Sequence, residues 1–353
     1  MVSKEILHAP AYVLQELLQN HEIDARDLYE ISLERSREIE ELNAFRAMEE
    51  KIGRAAAECS AWRHQRETPL GMVDGIPIGV KDGFAMRGSV EREGSKTTGD
   101  DPSPDDGPAI GALRRNGFVP AGRTTMPEFG WKGVTDSPLC GATRNPWDPE
   151  RTSGGSSGGN GVAVATGACA MALGTDIGGS VRIPASFCGI VGFKPTQDRA
   201  PRRPGSHAGV LSREGPMTRS VLDAAYMMDV TELRDETDQS GRFGPRYFEQ
   251  ATEQQLIGFE VALLLDHPDI DVHPEVEQAV RRAAMALHDL GCRVVEIDRD
   301  DLDLGGLRET YETLYSGDVT VSTRKLDENE RQKLDPGLLK LTEWVEQLPL
   351  TVY

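Results

Sequence analysis

The segment from residue 153 to residue 196 constrains this chain more than any other part of its sequence. It contains the run Ser-Gly-Gly-Ser156-Ser157-Gly-Gly, then an apolar stretch, then Gly-Thr-Asp176-Ile-Gly-Gly-Ser180. Glycine costs backbone entropy on folding, so many glycines beside hydroxyl groups indicate tight turns and backbone amides that approach a ligand closely. The apolar part between the two turns, residues 161–174, is too short to span a bilayer and predicts a buried helix.

Helical and strand patterns alternate along the rest of the chain. Apolar spacing predicts two N-terminal helices, with Asp24 as the N-cap of the second, and residues 75–82 read as a buried strand that ends near Lys81. A polar loop over residues 87–108, of the kind that is often functional, precedes a helix over 109–116 and a strand from residue 118. Residues 256–297 predict a strand, a helix and a parallel strand. This alternation predicts an α/β fold with a central sheet.

Charge and cysteine content exclude several classes of function. The chain has 58 acidic and 39 basic residues, a net charge of −19, which argues against nucleic acid as a partner. Glu5 and Glu16 interrupt the apolar N-terminus, so no signal peptide is expected, and no segment predicts membrane insertion. Five scattered cysteines without a CxxC pair favour a reducing cytoplasm.

Three motifs occur in the order that one enzyme family uses. They are Gly-Ile-Pro-Ile-Gly-Val-Lys81-Asp, Gly-Gly-Ser156-Ser-Gly-Gly and Gly-Thr-Asp-Ile-Gly-Gly-Ser180, with the two numbered serines 24 residues apart. On these residues the chain resembles the amidase-signature family over roughly its first two-thirds. The resemblance implies an α/β/α sandwich with a central mixed, twisted β-sheet covered by helices, and a single domain over residues 1–353. Family members usually run longer, so the family's C-terminal portion is expected to be lacking here.

The resemblance also implies a catalytic triad. Ser180 would be the nucleophile, Ser156 the proton relay and Lys81 the base, with a cis peptide bond holding the middle serine. A lysine acts as a base only when its amine is neutral, so Lys81 is expected to be buried. No metal and no organic cofactor are required. The oxyanion hole would be formed by successive backbone amides of the turn before the nucleophile, Ile177, Gly178 and Gly179 together with Ser180 itself.

Supporting roles are assigned to neighbours of the triad. Asp176 and Arg182 are interpreted as a local ion pair that frames the turn. Ser153 and Ser157 could assist the relay, although hydroxyls in such turns more often bond to nearby backbone. Candidate pocket residues follow the predicted strand that begins at residue 118, with ordinary packing an equal alternative for each: Met126, Phe129 and Trp131.

The predicted function is hydrolysis of the carbon–nitrogen bond of a small or aryl carboxamide through an acyl-enzyme on Ser180. Carbamate or ester hydrolysis by the same triad stays open, as does an incomplete, non-catalytic homologue that binds acyl compounds. The expected partner is a small-molecule amide, and a homo-oligomer stays open.

Three rival sites are weaker. A phosphate loop would need a Gly-Lys dipeptide or GxGxxG spacing, and neither occurs. The GxSxG elbow of α/β-hydrolases needs an apolar strand before it, whereas residues 145–152 are polar. A metal site could use acidic and histidine residues of one short segment, but their spacing is no recognised ligand pattern: Asp266, His267, Asp269, Asp271, His273 and Glu275.

Overall fold

The computed structural model describes residues 4–197, 199–200, 211–232, 246–253, 256–265, 271–298, 302 and 306–347. The chain divides into two compact units, one made of Met1–Ala251 with Leu314–Tyr353 and the other of Thr252–Thr313. A single domain over residues 1–353, without the family's C-terminal portion, stays a prediction.

The strands fall into one large sheet and two small pairs. In chain order they are β1 (Phe45–Ala47), β2 (Pro77–Lys81), β3 (Val119–Thr124), β4 (Asp136–Ser137), β5 (Gly141–Ala142), β6 (Met171–Asp176), β7 (Val191–Gly192), β8 (Arg213–Thr218), β9 (Glu260–Leu263) and β10 (Arg293–Glu296). The six-stranded sheet has the order β1-β3-β2-β6-β8-β7. Strand β2 runs parallel to β3 and β6, while β1, β8 and β7 pair antiparallel with their neighbours. The sheet is therefore mixed, as predicted.

The helices are numbered in chain order across both units. They are α1 (Ala11–Gln19), α2 (Ala25–Glu38), α3 (Glu50–His64), α4 (Pro108–Arg115), α5 (Gly158–Ala165), α6 (Arg182–Cys188), α7 (Val221–Thr231), α8 (Tyr247–Glu253), α9 (Pro274–Asp289), α10 (Leu307–Thr320), α11 (Glu328–Arg331) and α12 (Pro336–Glu346). Short 3₁₀ helices occupy Lys4–His8, Glu40–Leu42 and Glu128–Gly130. Within the described residues, no helix is long and apolar enough to cross a membrane.

Two apolar clusters lie on opposite faces of the sheet. Side chains of consecutive strand residues point to opposite faces. On β6, Met171 and Leu173 belong to a cluster with residues of α1, α2, α4 and α7, whereas Ala172 belongs to a second cluster with residues of α5 and α6. Helices therefore cover both faces, which confirms the predicted α/β/α sandwich.

Several predicted element boundaries are confirmed. Asp24 caps α2, accepting a hydrogen bond from the backbone N–H of Arg26 at 2.8 Å. Helix α4 ends just before Gly117, whose φ of +81° lies in the left-handed region that glycine adopts without a steric penalty. Strand β2 ends at Lys81, as the sequence predicts.

The prediction of one buried helix over residues 161–174 is wrong in its second half. Helix α5 ends at Ala165 and β6 begins at Met171. Gly167, with φ of +71°, follows the helix C-cap. Because β6 lies inside the sheet with both faces covered, its residues are apolar without alternation, and such a run looks the same in a buried helix.

The second unit contains the predicted βαβ motif. Strands β9 and β10 pair in parallel and are connected through α9. Pro274 lies in the first turn of α9, where its missing N–H is tolerated, and Gly291 follows the C-cap with φ of +95°.

Candidate active site

Lys81 is buried at the C-terminal end of β2, where the strand lies between β3 and β6. Only 1% of its surface is exposed. Its Nζ donates hydrogen bonds to Ser156 Oγ at 2.7 Å and to Thr175 Oγ1 at 2.8 Å. Burial lowers the pKa of Lys81 from 10.5 to about 7, against the opposing negative charges of Asp176 and Glu93. At neutral pH a large share of this amine is therefore uncharged and able to accept a proton.

Ser156 lies in the glycine-rich turn that leads into α5. The peptide bond between Gly155 and Ser156 is cis, as the family resemblance implied. Close packing explains the glycines after it: a Cβ on Gly159 would lie 2.4 Å from the backbone nitrogen of Thr125, next to β3. The first turn of α5 therefore fits against the end of β3 only with glycine at this position.

Asp176 organises the second turn, which follows β6 and carries Ser180. Its carboxylate accepts hydrogen bonds from the backbone N–H groups of Gly179 at 2.8 Å and Val181 at 3.2 Å. Arg182 donates two more, at 2.9 and 2.8 Å. Burial opposes ionisation of Asp176, but the Arg182 guanidinium and these backbone amides lower its pKa below the ordinary value. The pair has the arrangement of a local frame for the turn, as the sequence suggested.

The amides predicted to form an oxyanion hole differ in what they face. The N–H of Gly179 points to Asp176, so in this structure it is engaged within the turn. The cavity described below is lined by Ile177 and Ser180, and Gly178 is exposed. Gly179 has φ of +119°, a conformation that residues with a side chain rarely adopt. Ile177, Gly178 and Ser180 therefore remain the predicted donors to a bound oxyanion.

Backbone contacts connect the two turns. The N–H of Ser157 donates to the carbonyl oxygen of Ser180 at 3.0 Å, and the Ser157 hydroxyl donates to the carbonyl oxygen of Thr175 at 3.4 Å. Ser153 donates its hydroxyl to the carbonyl oxygen of Thr143 at 3.1 Å. Ser153 and Ser157 thus use their hydroxyls on nearby backbone, the ordinary behaviour of such residues in tight turns.

One cavity of about 660 Å³ brings the predicted triad together. Lys81, Ser156 and Ser180 all line it, and so do two predicted pocket residues, Met126 and Phe129. The volume lies within the usual range of small-molecule sites. The sequence motifs therefore converge on a single concave site.

Trp131, the third predicted pocket residue, does not line this cavity. It packs with Phe129 and Tyr315 around the buried residues Val319 and Leu338. The Tyr315 hydroxyl donates a hydrogen bond to the Trp131 carbonyl oxygen. Trp131 thus belongs to the same apolar cluster as Phe129 but does not line the cavity.

Two residues of the site were missed by the sequence analysis. Thr175 lies in the Gly-Thr-Asp motif, directly before the predicted residue Asp176, and its hydroxyl contacts the Lys81 amine. Glu93 lies in the polar loop between β2 and α4, lines the cavity, and has its pKa raised by burial to about 8. The position of Thr175 beside the motif was an available signal, whereas nothing in the loop sequence singles out Glu93.

The rival sites find little support among the described residues. No group of three or more His, Cys, Asp or Glu side chains could hold a metal ion in the part of the chain that the structure describes. Three members of the proposed metal segment, Asp266, His267 and Asp269, lie outside the described residues. His273 instead caps α9, its Nδ1 accepting from the N–H of Glu275 at 3.3 Å.

The α/β-hydrolase alternative lacks the strand it needs. Residues 145–151 form turns and irregular structure, and the neighbouring Arg144 and Thr152 form only an isolated bridge. An elbow nucleophile needs an apolar strand directly before the turn. The turn at Ser156 therefore differs from that elbow.

Comparison with known proteins agrees with this geometry. Residues 27–349 match the sequence profile of the family described as Amidase. The chain belongs to the amidase-signature family. Indoleacetamide hydrolase of Bradyrhizobium diazoefficiens is 35% identical over 313 residues, which cover 85% of this chain and 57% of that protein. A glutamyl-tRNA(Gln) amidotransferase subunit of Synechococcus sp. (strain RCC307) is 35% identical over 90% of this chain and 66% of that protein.

Solved structures of the amidase-signature family share the fold. A bacterial aryl acylamidase of the family superposes with a TM-score of 0.89 at 26% identity, over 98% of this chain and 74% of that one. The chain spans about half to two thirds of the length of the curated relatives that it matches.

Proposed function

We propose that this chain hydrolyses the carbon–nitrogen bond of small or aryl carboxamides, with Ser180 as nucleophile, Ser156 as relay and Lys81 as base. The observation that carries the proposal is the buried Lys81 amine, with a pKa of about 7, at 2.7 Å from the Ser156 hydroxyl in the cavity that Ser180 also lines. A serine hydroxyl becomes an effective nucleophile when a neighbouring base takes its proton.

The reaction proceeds in two halves. Ser180 Oγ attacks the amide carbonyl carbon while its proton passes to Ser156 Oγ, and the Ser156 proton passes to neutral Lys81 Nζ. The negative oxygen of the tetrahedral intermediate accepts hydrogen bonds from the amides of the Ser180 turn. The carbon–nitrogen bond then breaks, and the leaving amine takes a proton returned from Lys81 through Ser156. Water, activated by the same base, attacks the acyl-Ser180 ester and releases a carboxylic acid and free Ser180.

The substrate class rests on cavity size and on relatives. A cavity of about 660 Å³ accommodates a small or aryl amide. An indoleacetamide hydrolase and an aryl acylamidase are among the proteins that this chain resembles. Carbamates and esters fit the same chemistry, and a binding-only homologue is the remaining alternative.

We place the protein in the cytoplasm, as its five free cysteines suggest, with a small-molecule amide as its partner and a homo-oligomer left open.

Covalent labelling tests the nucleophile first. The protein is incubated with a fluorophosphonate, and its intact mass is compared with that of Ser180→Ala and of a matched control, Ser186→Ala, an exposed serine on α6. The proposal expects one adduct on the parent and on Ser186→Ala, and none on Ser180→Ala. Absence of any adduct on a folded parent would favour the binding-only homologue.

Product analysis then separates the substrate classes. Matched aryl amides, carbamates and esters with one acyl group are compared by kcat/KM, with Ser180→Ala as the blank. Preferential amide cleavage supports the proposal, whereas cleavage of esters or carbamates alone would replace it with the corresponding alternative.

A further inference from the structure

The loop between β2 and α4 holds Glu93 in an unusual backbone conformation at the cavity wall. Its φ is +48°, in the left-handed region that costs a non-glycine residue about 1 kcal/mol. Its N–H donates to the carbonyl oxygen of Asp82 at 3.2 Å, and its carbonyl oxygen accepts from the N–H of Phe129 at 2.8 Å. These two bonds fix Glu93 between the end of β2 and the segment that carries Phe129.

The residue after Glu93 allows this fit. Gly94 has φ of +67°, and a Cβ there would lie 2.5 Å from the carbonyl oxygen of Met126. The loop backbone is therefore pressed against the cavity wall at Met126. A strained residue that packing holds in place is a feature of binding and catalytic sites.

The Glu93 carboxyl group lies beside Gly83, at the wall of the cavity that Lys81 also lines. A Cβ on Gly83, two residues beyond Lys81, would lie 4.0 Å from Glu93 Oε1 and 3.4 Å from Met126 Sδ. Gly83, Met126 and Glu93 line the same cavity as Lys81. The carboxyl group is thus within reach of a ligand that occupies the site.

The charges of the cavity wall favour a cation. Among the described residues, the charged ones that line it are one lysine, Lys81, and four acids, Glu91, Glu93, Asp101 and Glu214. The proposed mechanism requires the Lys81 amine to be neutral, so negative charge in the described part of the lining comes from these acids, and from Glu93 in its ionised form. A cleft lined by one sign of charge concentrates ligands of the opposite sign.

We propose that Glu93 is a specificity-determining residue that binds an ammonium group carried by the amide substrate. This inference rests on the proposed amide hydrolysis and names its preferred substrates as amino-substituted carboxamides. Burial, with the negative charges of Glu91 and Asp82, raises the pKa of Glu93 to about 8, while Lys81 lowers it. A bound ammonium would favour the ionised carboxylate and form a charge-assisted hydrogen bond with it.

A series of matched substrates tests the proposal. For several chain lengths, the ω-amino carboxamide is compared with the alkyl carboxamide in which a methyl group replaces the ammonium and with the ω-carboxy carboxamide. For at least one length, kcat/KM is expected to be about tenfold higher for the amino than for the alkyl compound, which corresponds to about 1.4 kcal/mol. The carboxylate compound is expected to be the poorest.

Two variants assign the preference to Glu93. Glu93→Gln keeps the shape and removes the charge, so the ratio of amino to alkyl kcat/KM is expected to fall towards one. The ratio is insensitive to any general effect on Lys81, because both substrates use the same base. The matched control is Glu67→Gln, an exposed glutamate whose backbone is also left-handed, at φ of +57°, and which is expected to keep the parent ratio.

A binding measurement separates failure of this inference from failure of the proposed function. Affinities of the three compounds are measured by calorimetry on Ser180→Ala, with and without Glu93→Gln, where no turnover is needed. Tighter binding of the amino compound that Glu93→Gln removes supports the inference, even if the parent hydrolyses no amide. Equal kcat/KM values and equal affinities for the amino and alkyl compounds, or a preference for the amino compound that Glu93→Gln leaves unchanged, would overturn it while leaving amide hydrolysis intact.

Discussion

The burial of Lys81 predicts how the reactivity of Ser180 depends on pH. Lowering the Lys81 pKa from 10.5 to about 7 makes about half of the amine neutral at pH 7, against about 0.03% for an exposed lysine. Burial therefore raises the population of competent base by roughly 1,500-fold. The neutral fraction is about 9% at pH 6 and about 91% at pH 8, so the labelling rate should rise about tenfold between them.

The second-order rate of fluorophosphonate labelling, followed by intact mass from pH 5.5 to 9, measures this rise. Activity falls as pH drops, because protonation removes the base. Burial raises the pKa of Glu93 to about 8 in the same cavity, and the negative charge of its ionised form favours the ammonium form of Lys81. In the upper part of the pH range, the labelling rate should therefore increase less steeply with pH than it would if Lys81 alone titrated.

Variants connect the pH profile to Lys81. Lys81→Met is expected to label about 10² to 10⁴ times more slowly and without the rise, since the base is absent. Lys51→Met, which removes an exposed lysine on α3, should match the parent. A parent rate that is flat between pH 6 and 8, or a Lys81→Met rate within threefold of the parent, would refute the reasoning.

Four further predictions concern the surroundings of the triad. Lys81→Met should raise Tm by a few degrees at pH 7, because the unfolded chain favours the charged amine; the gain should shrink as pH rises from about 7 to 10.5. Thr175→Val should slow labelling about tenfold, since it removes the 2.8 Å hydrogen bond to the Lys81 amine. Asp176→Asn should lower the free energy of unfolding by about 2 kcal/mol, seen as a lower Tm, and slow labelling, since the carboxylate holds the turn. Gly337→Ala should lower the free energy of unfolding by about 1–3 kcal/mol, seen as a lower Tm, because the added Cβ would lie 2.4 Å from the Trp131 ring and overpack the site.

Matched variants control for these changes. Thr175→Ser keeps the hydroxyl and should label at nearly the parent rate. Asp148→Asn removes an exposed carboxylate that pairs with Arg151, and should leave Tm nearly unchanged. Gly99→Ala adds a Cβ with nothing within 4 Å and should be neutral for Tm. If each control changed as much as its partner variant, the specific contacts would not be the cause.

The positions of residues inside the motifs could be predicted from the sequence, because few residue types can perform the chemistry or adopt the turns required there. The sequence predicted that Lys81 ends a buried strand and that Ser156 lies in a glycine-rich turn, and both are observed. The position of Thr175 in the motif made it an available candidate, but its contact with Lys81 could not be predicted, because that contact depends on the register of β6 against β2 and neither strand encodes that register locally.

Ambiguous apolar runs and irregular loops mark the limits of the sequence analysis. Residues 161–174 were interpreted as one helix because a covered strand and a buried helix share the same composition. Glu93 sits in a loop without periodicity, and its place in the cavity wall follows from hydrogen bonds to Asp82 and Phe129. Neither contact is encoded by a local pattern.

The reacting groups and one side of the substrate cavity come from different parts of the fold. Lys81 lies at the end of β2, and the Ser180 turn follows the neighbouring parallel strand β6. One side of the cavity is instead formed by the connection between β2 and α4. Connecting loops accept substitutions and insertions more readily than sheet strands do. During divergence, this chain could therefore acquire new substrates by altering one connection, while the inherited reaction chemistry persists in the sheet.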